Sequence, residues 1–333
     1  MQKKLQIVWK ILKVVLPILI VLGVGWQFWS LLRRPELWEQ PLTIRPIPLI
    51  LAGLLYVLTH TLWATFWVQL LHNQGAQVPW AVGVRAYFVS QLGKYVPGKA
   101  WVIVLRVAML RHLAPSRSML VLTGLYETLT SMAGGAMVGG LLLAWVPGVG
   151  DTIQNRQWML IPLACMPLGF VLLHRLARRL NRKFNPGNQM PPLPFSLMLR
   201  GILQTSLGWA MLGLSLWLTM VGILPESPEF SRDAWLRSTG INAIAYVMGF
   251  VVLVAPGGVG VREFFLQRLL AAELALYWMT GEPSGLAVVV TLVLRLLWTF
   301  AEFVAMGLLV WWVPVPKDSG TTAAADPVQE GRS

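Results

Sequence analysis

A nine-residue stretch, Ala-Pro-Gly-Gly-Val-Gly-Val-Arg-Glu (residues 255–263), decides the fold because it interrupts a long apolar run. Apolar residues dominate 244–254 before it and 264–276 after it. Pro256 lacks a backbone N–H, and the neighbouring glycines permit backbone angles that other residues avoid, so we expect one helix to end and another to begin here. Between apolar segments, such a break is tolerated at membrane depth only where it is buried in protein or lines a wet cavity.

A second Pro-Gly break lies earlier in the chain, in Lys-Tyr-Val-Pro-Gly-Lys (residues 94–99). It also stands between apolar runs, and an arginine, Arg106, also follows it. One break with adjacent charge in each half of a chain is typical of transporters that are built from two related halves. The two breaks therefore predict two broken-helix hairpins in such a protein.

The composition excludes a soluble globule. Of 333 residues, 56% are hydrophobic and only 12% are charged, and the mean hydropathy is +0.63. The apolar runs are continuous, whereas the strands of a membrane β-barrel alternate, so the chain is predicted to be helical. The net charge of +13 comes largely from basic loops between apolar segments, as the positive-inside rule expects, and no nucleic-acid recognition motif accompanies it. We therefore expect a membrane environment and no nucleic-acid partner.

The predicted fold is an all-α polytopic membrane protein with about six spanning helices and two re-entrant broken-helix hairpins, arranged as an inverted repeat. The six predicted spans are residues 14–32, 48–71, 118–146, 157–173, 196–224 and 286–313. The hairpins are predicted over 83–110 and 234–280, with opposite orientations, because both flanks of each are expected on one side of the membrane. Glu127 and Glu302 fall in matching spans of the two halves.

The domain organisation follows from these spans. Residues 1–13 are predicted to form a cytoplasmic N-terminus, and one transmembrane domain is predicted over 14–313. Its halves, 14–173 and 196–313, are joined by a basic cytoplasmic loop, 174–195, and a disordered cytoplasmic tail is predicted over 314–333. This topology places both termini in the cytoplasm and the protein in the cell (inner or plasma) membrane.

Charged residues within the apolar segments are the candidate functional residues. An ionisable side chain at the centre of a bilayer costs about 2.5–3.5 kcal/mol, so these groups should pair or face water. The candidates for charge pairing or proton coupling are Glu127, Glu263, Arg295 and Glu302. Arg295 and Glu302 are seven residues apart, too far to pair, and are expected to line one cavity. Arg106 is expected to snorkel to an interface, and His60 to be a hydrogen-bonded packing residue.

A phosphate site is predicted at the two breaks. Each break should free backbone N–H groups at the start of a half-helix, where anions bind, and Lys99 and Arg262 add positive charge. The candidate residues for binding a lipid phosphate are Lys94, Tyr95, Pro97, Gly98, Lys99, Arg106, Pro256, Gly257, Gly258, Gly260 and Arg262. The alternative interpretation is that these charges form structural pairs that hold the hairpins in place. No cofactor or metal is predicted, because the four histidines are isolated and no catalytic motif is present.

The two breaks together resemble a known family. The sequence QLGKYVPGK-x-W (residues 91–101) followed by Arg106, and the sequence PGGVGVRE (residues 256–263), are similar to the transmembrane domain of the lysylphosphatidylglycerol synthase/flippase family. The resemblance covers about residues 10–313. It implies movement of lipids or lipid-linked precursors between leaflets, or support of steps at polyprenyl-phosphate carriers and hopanoids. Full-length synthases of the family carry a soluble aminoacyl-transfer domain after the membrane part, which is not expected here, so synthase chemistry is not expected either. One departure is Thr128 after Glu127, where many relatives carry a basic residue.

The sequence therefore predicts a lipid flippase or transporter that is not an enzyme. Its expected cargo is a phospholipid or a polyprenyl-phosphate-linked lipid. Two alternatives remain open: an intramembrane lipid-modifying enzyme, and a membrane scaffold for a membrane-bound glycosyltransferase. The enzyme would need catalytic side chains clustered on one wall of a cavity, and the scaffold would lack a sealed cavity at the breaks.

Overall fold

The structure, a computed structural model, describes the isolated residues 22, 26, 29, 33, 175 and 179 and the ranges 42–95, 101–148, 193–226, 228–251, 260–276 and 283–314. All regular structure in these ranges is helical. The helices are α1 (Pro46–Asn73), α2 (Trp80–Ser90), a 3-10 turn (Gln91–Tyr95), α3 (Trp101–Leu110), α4 (Arg117–Trp145), α5 (Phe195–Ile223), α6 (Arg232–Val251), α7 (Val261–Leu274) and α8 (Pro283–Trp312).

Four of these helices, α1, α4, α5 and α8, are long and apolar enough to cross a membrane. They correspond to four of the six predicted spans, with ends displaced by one to three residues. The predicted span over 157–173, the N-terminal segment 1–13 and the tail beyond 314 lie outside the described residues, and the span over 14–32 is described at only three positions. The structure is therefore that of a helical protein with four candidate transmembrane helices.

The long helices bury most of their polar side chains and expose many large apolar ones. On α1, Tyr56, His60 and Trp63 are buried, whereas Leu54 and Leu58 are more than half exposed. This is the reverse of a helix at the surface of a soluble protein, and it is the arrangement expected where lipid replaces water around the bundle.

Helices α1 and α5 pack antiparallel along their whole length. The Arg45 guanidinium, just before α1, donates to the carbonyl oxygens of Leu224 (2.8 Å) and Pro225 (2.9 Å), just after α5. Near the opposite ends of the two helices, Phe66 lies against Gly201. We call the end of the bundle with the C-terminus of α1 end A, and the end with its N-terminus end B.

The first hairpin, α2 and α3, opens at end A. It follows the C-terminus of α1 and precedes the N-terminus of α4, and these two helix ends share a hydrophobic cluster that includes Phe66 and Leu122. Its inner end reaches the middle of the bundle, where the Lys94 ammonium meets the Tyr56 hydroxyl (3.5 Å). Tyr56 lies ten residues into α1, about 15 Å from end B.

The second hairpin, α6 and α7, opens at end B. Arg237, near the start of α6, donates to the Glu273 carboxylate (2.9 Å) near the end of α7 and to the Pro147 carbonyl (3.2 Å) just beyond α4. At its inner end, Arg262 lies over the ring of Trp298, and that ring stacks on Tyr56 with 5.0 Å between centroids. The inner ends of the two hairpins therefore meet near the middle of the bundle.

A glycine permits close contact between the two arms of each hairpin. A Cβ atom added to Gly93 would lie 2.5 Å from the backbone nitrogen of Val102, and one added to Gly249 would lie 2.7 Å from the Cβ of Arg262. By contrast, Gly135 and Gly139, the GxxxG pair on α4, contact Trp209 and Ile244 of other helices. The pair therefore serves close packing between helices.

Replacing Gly249 with alanine should destabilise the protein by about 1–3 kcal/mol, because the new methyl group forces α7 away from α6. The matched control is Gly307→Ala on α8, where an added Cβ meets no atom within 4 Å. That control should be neutral, or stabilising by up to about 1 kcal/mol, because alanine is the better helix former. Thermal unfolding of the two variants in detergent measures the difference, and equal midpoints would contradict the packing described here.

Candidate functional site

The first buried ion pair joins α3 to α4. Arg106 Nη1 donates to Glu127 Oε2 at 2.8 Å, and the Tyr87 hydroxyl donates to Glu127 Oε1 at 3.2 Å. The Arg106 guanidinium also lies over the rings of Trp67 (4.5 Å) and Tyr87 (4.4 Å), and its Nε donates to Ser90 Oγ. Both charges are buried, with Arg106 1% and Glu127 2% exposed.

The expectation that Arg106 snorkels to an interface is wrong. Its side chain turns inward because Glu127 offers a compensating charge and two aromatic faces cover the guanidinium. The pairing also shows that Glu127 does not need a basic residue at position 128, since its partner comes from the preceding hairpin. A basic side chain one residue away on a helix would point to a different face.

The second pair joins the first hairpin to α8. The Lys94 ammonium forms a salt bridge with the Glu302 carboxylate, and the Tyr56 hydroxyl donates to the same oxygen, Glu302 Oε2, at 2.7 Å. Glu302 is 1% exposed, whereas 22% of the Lys94 side chain is exposed. Lys94 is therefore tied to α8 and remains accessible on one side.

The third pair lies between α7 and α8. Arg295 Nε is 3.1 Å from Glu263 Oε1, and the other oxygen of Glu263 accepts the Gly260 N–H at 2.6 Å. The N-terminus of α7, where an anion was expected, is thus partly occupied by the chain's own carboxylate. Gly260 has a φ of 89°, a conformation that favours glycine at the start of this helix.

Arg262 differs from the other buried cations. It is 4% exposed, and its guanidinium lies over the rings of Tyr246 (4.1 Å) and Trp298 (5.1 Å). Within the part of the chain that the structure describes, the guanidinium forms no ion pair or hydrogen bond. Aromatic faces stabilise a cation without neutralising it, so Arg262 retains its full charge.

A cavity of about 410 Å³ lies where the two hairpins meet α1 and α4. Its charged lining residues are Lys94, Arg106, Glu127 and Arg262. The remainder of the lining is predominantly apolar and aromatic, as is common in sites for small organic molecules.

The charges in and next to the cavity do not cancel. Among the described residues, the three cations are Lys94, Arg106 and Arg262, and the two carboxylates that pair with the first two are Glu302 and Glu127. Three positive charges against two negative ones leave a surplus of one positive charge. The surplus is located at Arg262, so the cavity can attract an anion.

The structure brings together four of the predicted site residues and separates others. The residues that line the cavity are Lys94, Arg106, Glu127 and Arg262. The described candidates that do not line it are Tyr95, Gly260, Glu263, Arg295 and Glu302. The remaining candidates, Pro97, Gly98, Lys99, Pro256, Gly257 and Gly258, lie outside the described residues. Neither Arg295 nor Glu302 lines this cavity, and each pairs with a different hairpin.

Sequence reasoning missed the aromatic surroundings of the charges. Tyr56, His60, Trp63 and Trp67 are spaced by three or four residues and thus share one face of α1, which is the face buried against the hairpins. A polar and aromatic face on an otherwise apolar helix was the available signal. In the described ranges, no group of three His, Cys, Asp or Glu side chains is placed to hold a metal ion.

Replacing Glu127 with glutamine should destabilise the protein by about 3–5 kcal/mol, because it leaves Arg106 buried without a counter-charge. The control is Glu229→Gln, at an exposed residue between α5 and α6, which should change stability by less than about 0.5 kcal/mol. Thermal unfolding in detergent compares the two. A Glu127→Gln protein as stable as the control would show that the pair is not structural.

Comparison with known proteins assigns no family. No model of a protein family matches the chain. A search of curated proteins also gives no match. The case for a function therefore depends on the cavity and its charges.

Proposed function

We propose that this protein moves an anionic lipid, either a phospholipid or a polyprenyl-phosphate-linked lipid, between the leaflets of a cell membrane. The observation that carries the proposal is Arg262, a buried guanidinium without a carboxylate partner among the described residues. It lines a cavity at the middle of a bundle whose long helices are apolar enough to cross a membrane. A lipid phosphate is the anion that such a position favours.

The lining of the cavity also suits a lipid. Ile103 of α3, Leu125 and Met132 of α4, and Phe250 of α6 line the cavity and are only partly buried. The cavity thus extends toward the outer surface of the bundle between these helices. A head group can bind beside Arg262 while its acyl chains remain among apolar side chains and the surrounding bilayer, so the chains are never exposed to water.

The helix contacts support an inverted repeat. Helix α1 packs on α2 and α4 as α5 packs on α6 and α8, and α4 contacts α6 as α8 contacts α2. Equivalent helices α1 and α5 are antiparallel, and the hairpins open at opposite ends. Three of the four hairpin helices, α2, α3 and α7, have 11, 10 and 14 residues, short of the roughly 20 that a span needs, whereas α6 has 20. The three short helices favour re-entrant hairpins. Inverted repeats with broken helices at the midplane are typical of transporters.

Replacing Arg262 with glutamine should reduce lipid movement at least about tenfold, because a hydrogen bond to a charged group contributes about 1.5–3 kcal/mol. The assay is transbilayer movement of a fluorescent anionic phospholipid in vesicles containing the purified protein. Arg262→Lys should retain part of the activity, since it keeps the charge.

The matched control for this assay is Arg200→Gln, which removes an exposed arginine on α5. It should move lipid at the wild-type rate. Equal rates for Arg262→Gln and the wild type would remove Arg262 from the mechanism. If the purified wild-type protein moves no lipid but forms a lipid product, an intramembrane enzyme replaces the transporter as the best explanation.

The proposed topology places the two ends of α5 on opposite sides of the membrane. In a protein whose Cys165 is replaced by alanine, Asn188→Cys should react only from the cytoplasmic side, and Pro228→Cys only from the outer side. An impermeant thiol reagent added to intact cells and to inverted vesicles measures both. The opposite pattern would reverse the orientation.

A further inference from the structure

His60 is a buried histidine whose hydrogen bonding leaves one ring nitrogen available to the cavity. Its Nδ1 lies 3.0 Å from the Tyr56 carbonyl oxygen, one turn earlier on α1. A carbonyl oxygen can only accept, so Nδ1 carries the proton and donates it. The prediction that His60 is a hydrogen-bonded packing residue is correct for this nitrogen, but the residue also lines the cavity.

The other nitrogen, Nε2, is a hydrogen-bond acceptor. Lys94, Arg106 and Arg262 line the same cavity, so a second proton on the ring would add positive charge where there is already a surplus. A neutral imidazole with a proton on Nδ1 has a lone pair on Nε2. Among the described residues no donor binds this nitrogen, and the residue is only 3% exposed.

The ring is held in a fixed orientation. Aromatic neighbours surround it, with centroids at 4.1 Å (Tyr56), 5.4 Å (Trp63) and 6.3 Å (Phe88). Together with the bond from Nδ1, these contacts prevent the imidazole from rotating toward another partner. A fixed acceptor at this cavity favours a ligand that carries a hydrogen-bond donor, because one such bond contributes about 0.5–1.5 kcal/mol.

We propose that His60 Nε2 accepts a hydrogen bond from a hydroxyl or ammonium group on the lipid head group whose phosphate binds Arg262. A phosphate has only acceptor oxygens when ionised and cannot satisfy Nε2. The cavity therefore selects phospholipids that carry a donor beyond the phosphate, such as a polyol or an amine. This inference rests on the proposed function and adds the chemical class of the head group.

Two substitutions separate the two nitrogens of His60. In His60→Asn, the amide nitrogen takes the place of Nδ1 and keeps the bond to Tyr56, while the acceptor in the cavity is lost. In His60→Gln, the longer side chain places its amide oxygen near the position of Nε2 and keeps an acceptor there. A merely structural role for His60 predicts no difference in head-group preference between these variants.

The test is a binding titration in detergent with two short-chain lipids, dihexanoyl phosphatidylglycerol and dihexanoyl phosphatidylmethanol. Both carry one phosphodiester charge, but only the first has hydroxyl donors. The wild type should bind phosphatidylglycerol about fivefold more tightly, as expected for one hydrogen bond of about 1 kcal/mol. His60→Asn should bind the two lipids equally, and His60→Gln should keep most of the preference.

The inference is overturned if the wild type binds the two lipids with equal affinity, or if His60→Asn keeps the wild-type preference for phosphatidylglycerol. The thermal unfolding midpoint shows whether each variant folds. If a variant does not fold, the ratio of the two wild-type affinities still tests the inference. The titration does not depend on transport. Thus, loss of the binding preference with intact lipid movement refutes only the role of His60, whereas an intact preference without lipid movement refutes only the proposed function.

Discussion

Compensation of charge in the middle of an apolar bundle is the constraint on which the rest of the structure depends. A buried cation without any stabilising contact is strongly unfavourable, so each hairpin can stay at this depth only if its charges are paired or, as at Arg262, covered by aromatic faces. Arg106 finds Glu127 on the next helix, and Lys94 finds Glu302 on α8. These two pairs fix the position of the first hairpin, and the Glu263–Arg295 pair ties the second hairpin to α8. The glycines at the inner ends allow the arms of each hairpin to approach closely enough.

Much of the fold could be predicted from the sequence, because its main signals are local. The lengths of the apolar runs located α1, α4, α5 and α8 to within three residues. Hydrophobic length is a strong signal in a membrane protein, since every backbone polar group must be satisfied within its own segment. The requirement that buried charges be paired also held, as Glu127 and Glu302 show.

The choice of partners could not be predicted, because it depends on contacts between distant parts of the chain. Lys94 and Glu302 are 208 residues apart in the sequence. They are neighbours only in the folded protein, where Lys94 and the Tyr56 hydroxyl both bind Glu302 Oε2. For the same reason, Arg106 was wrongly expected at an interface, since its inward direction depends on Glu127 and two aromatic rings. Helical spacing shows which face a residue occupies, but not which helix covers that face.

The aromatic setting of Arg262 has a consequence for the response to membrane voltage. Among the described residues the empty cavity holds one surplus positive charge, and a singly charged phosphate would cancel it. Moving one charge across the whole membrane involves about 2.3 kcal/mol per 100 mV. On the proposed function, the electric field therefore acts mainly on the unloaded protein, while the loaded one is close to electroneutral. The resting potential then biases the return of the empty carrier and leaves the passage of its cargo nearly unaffected.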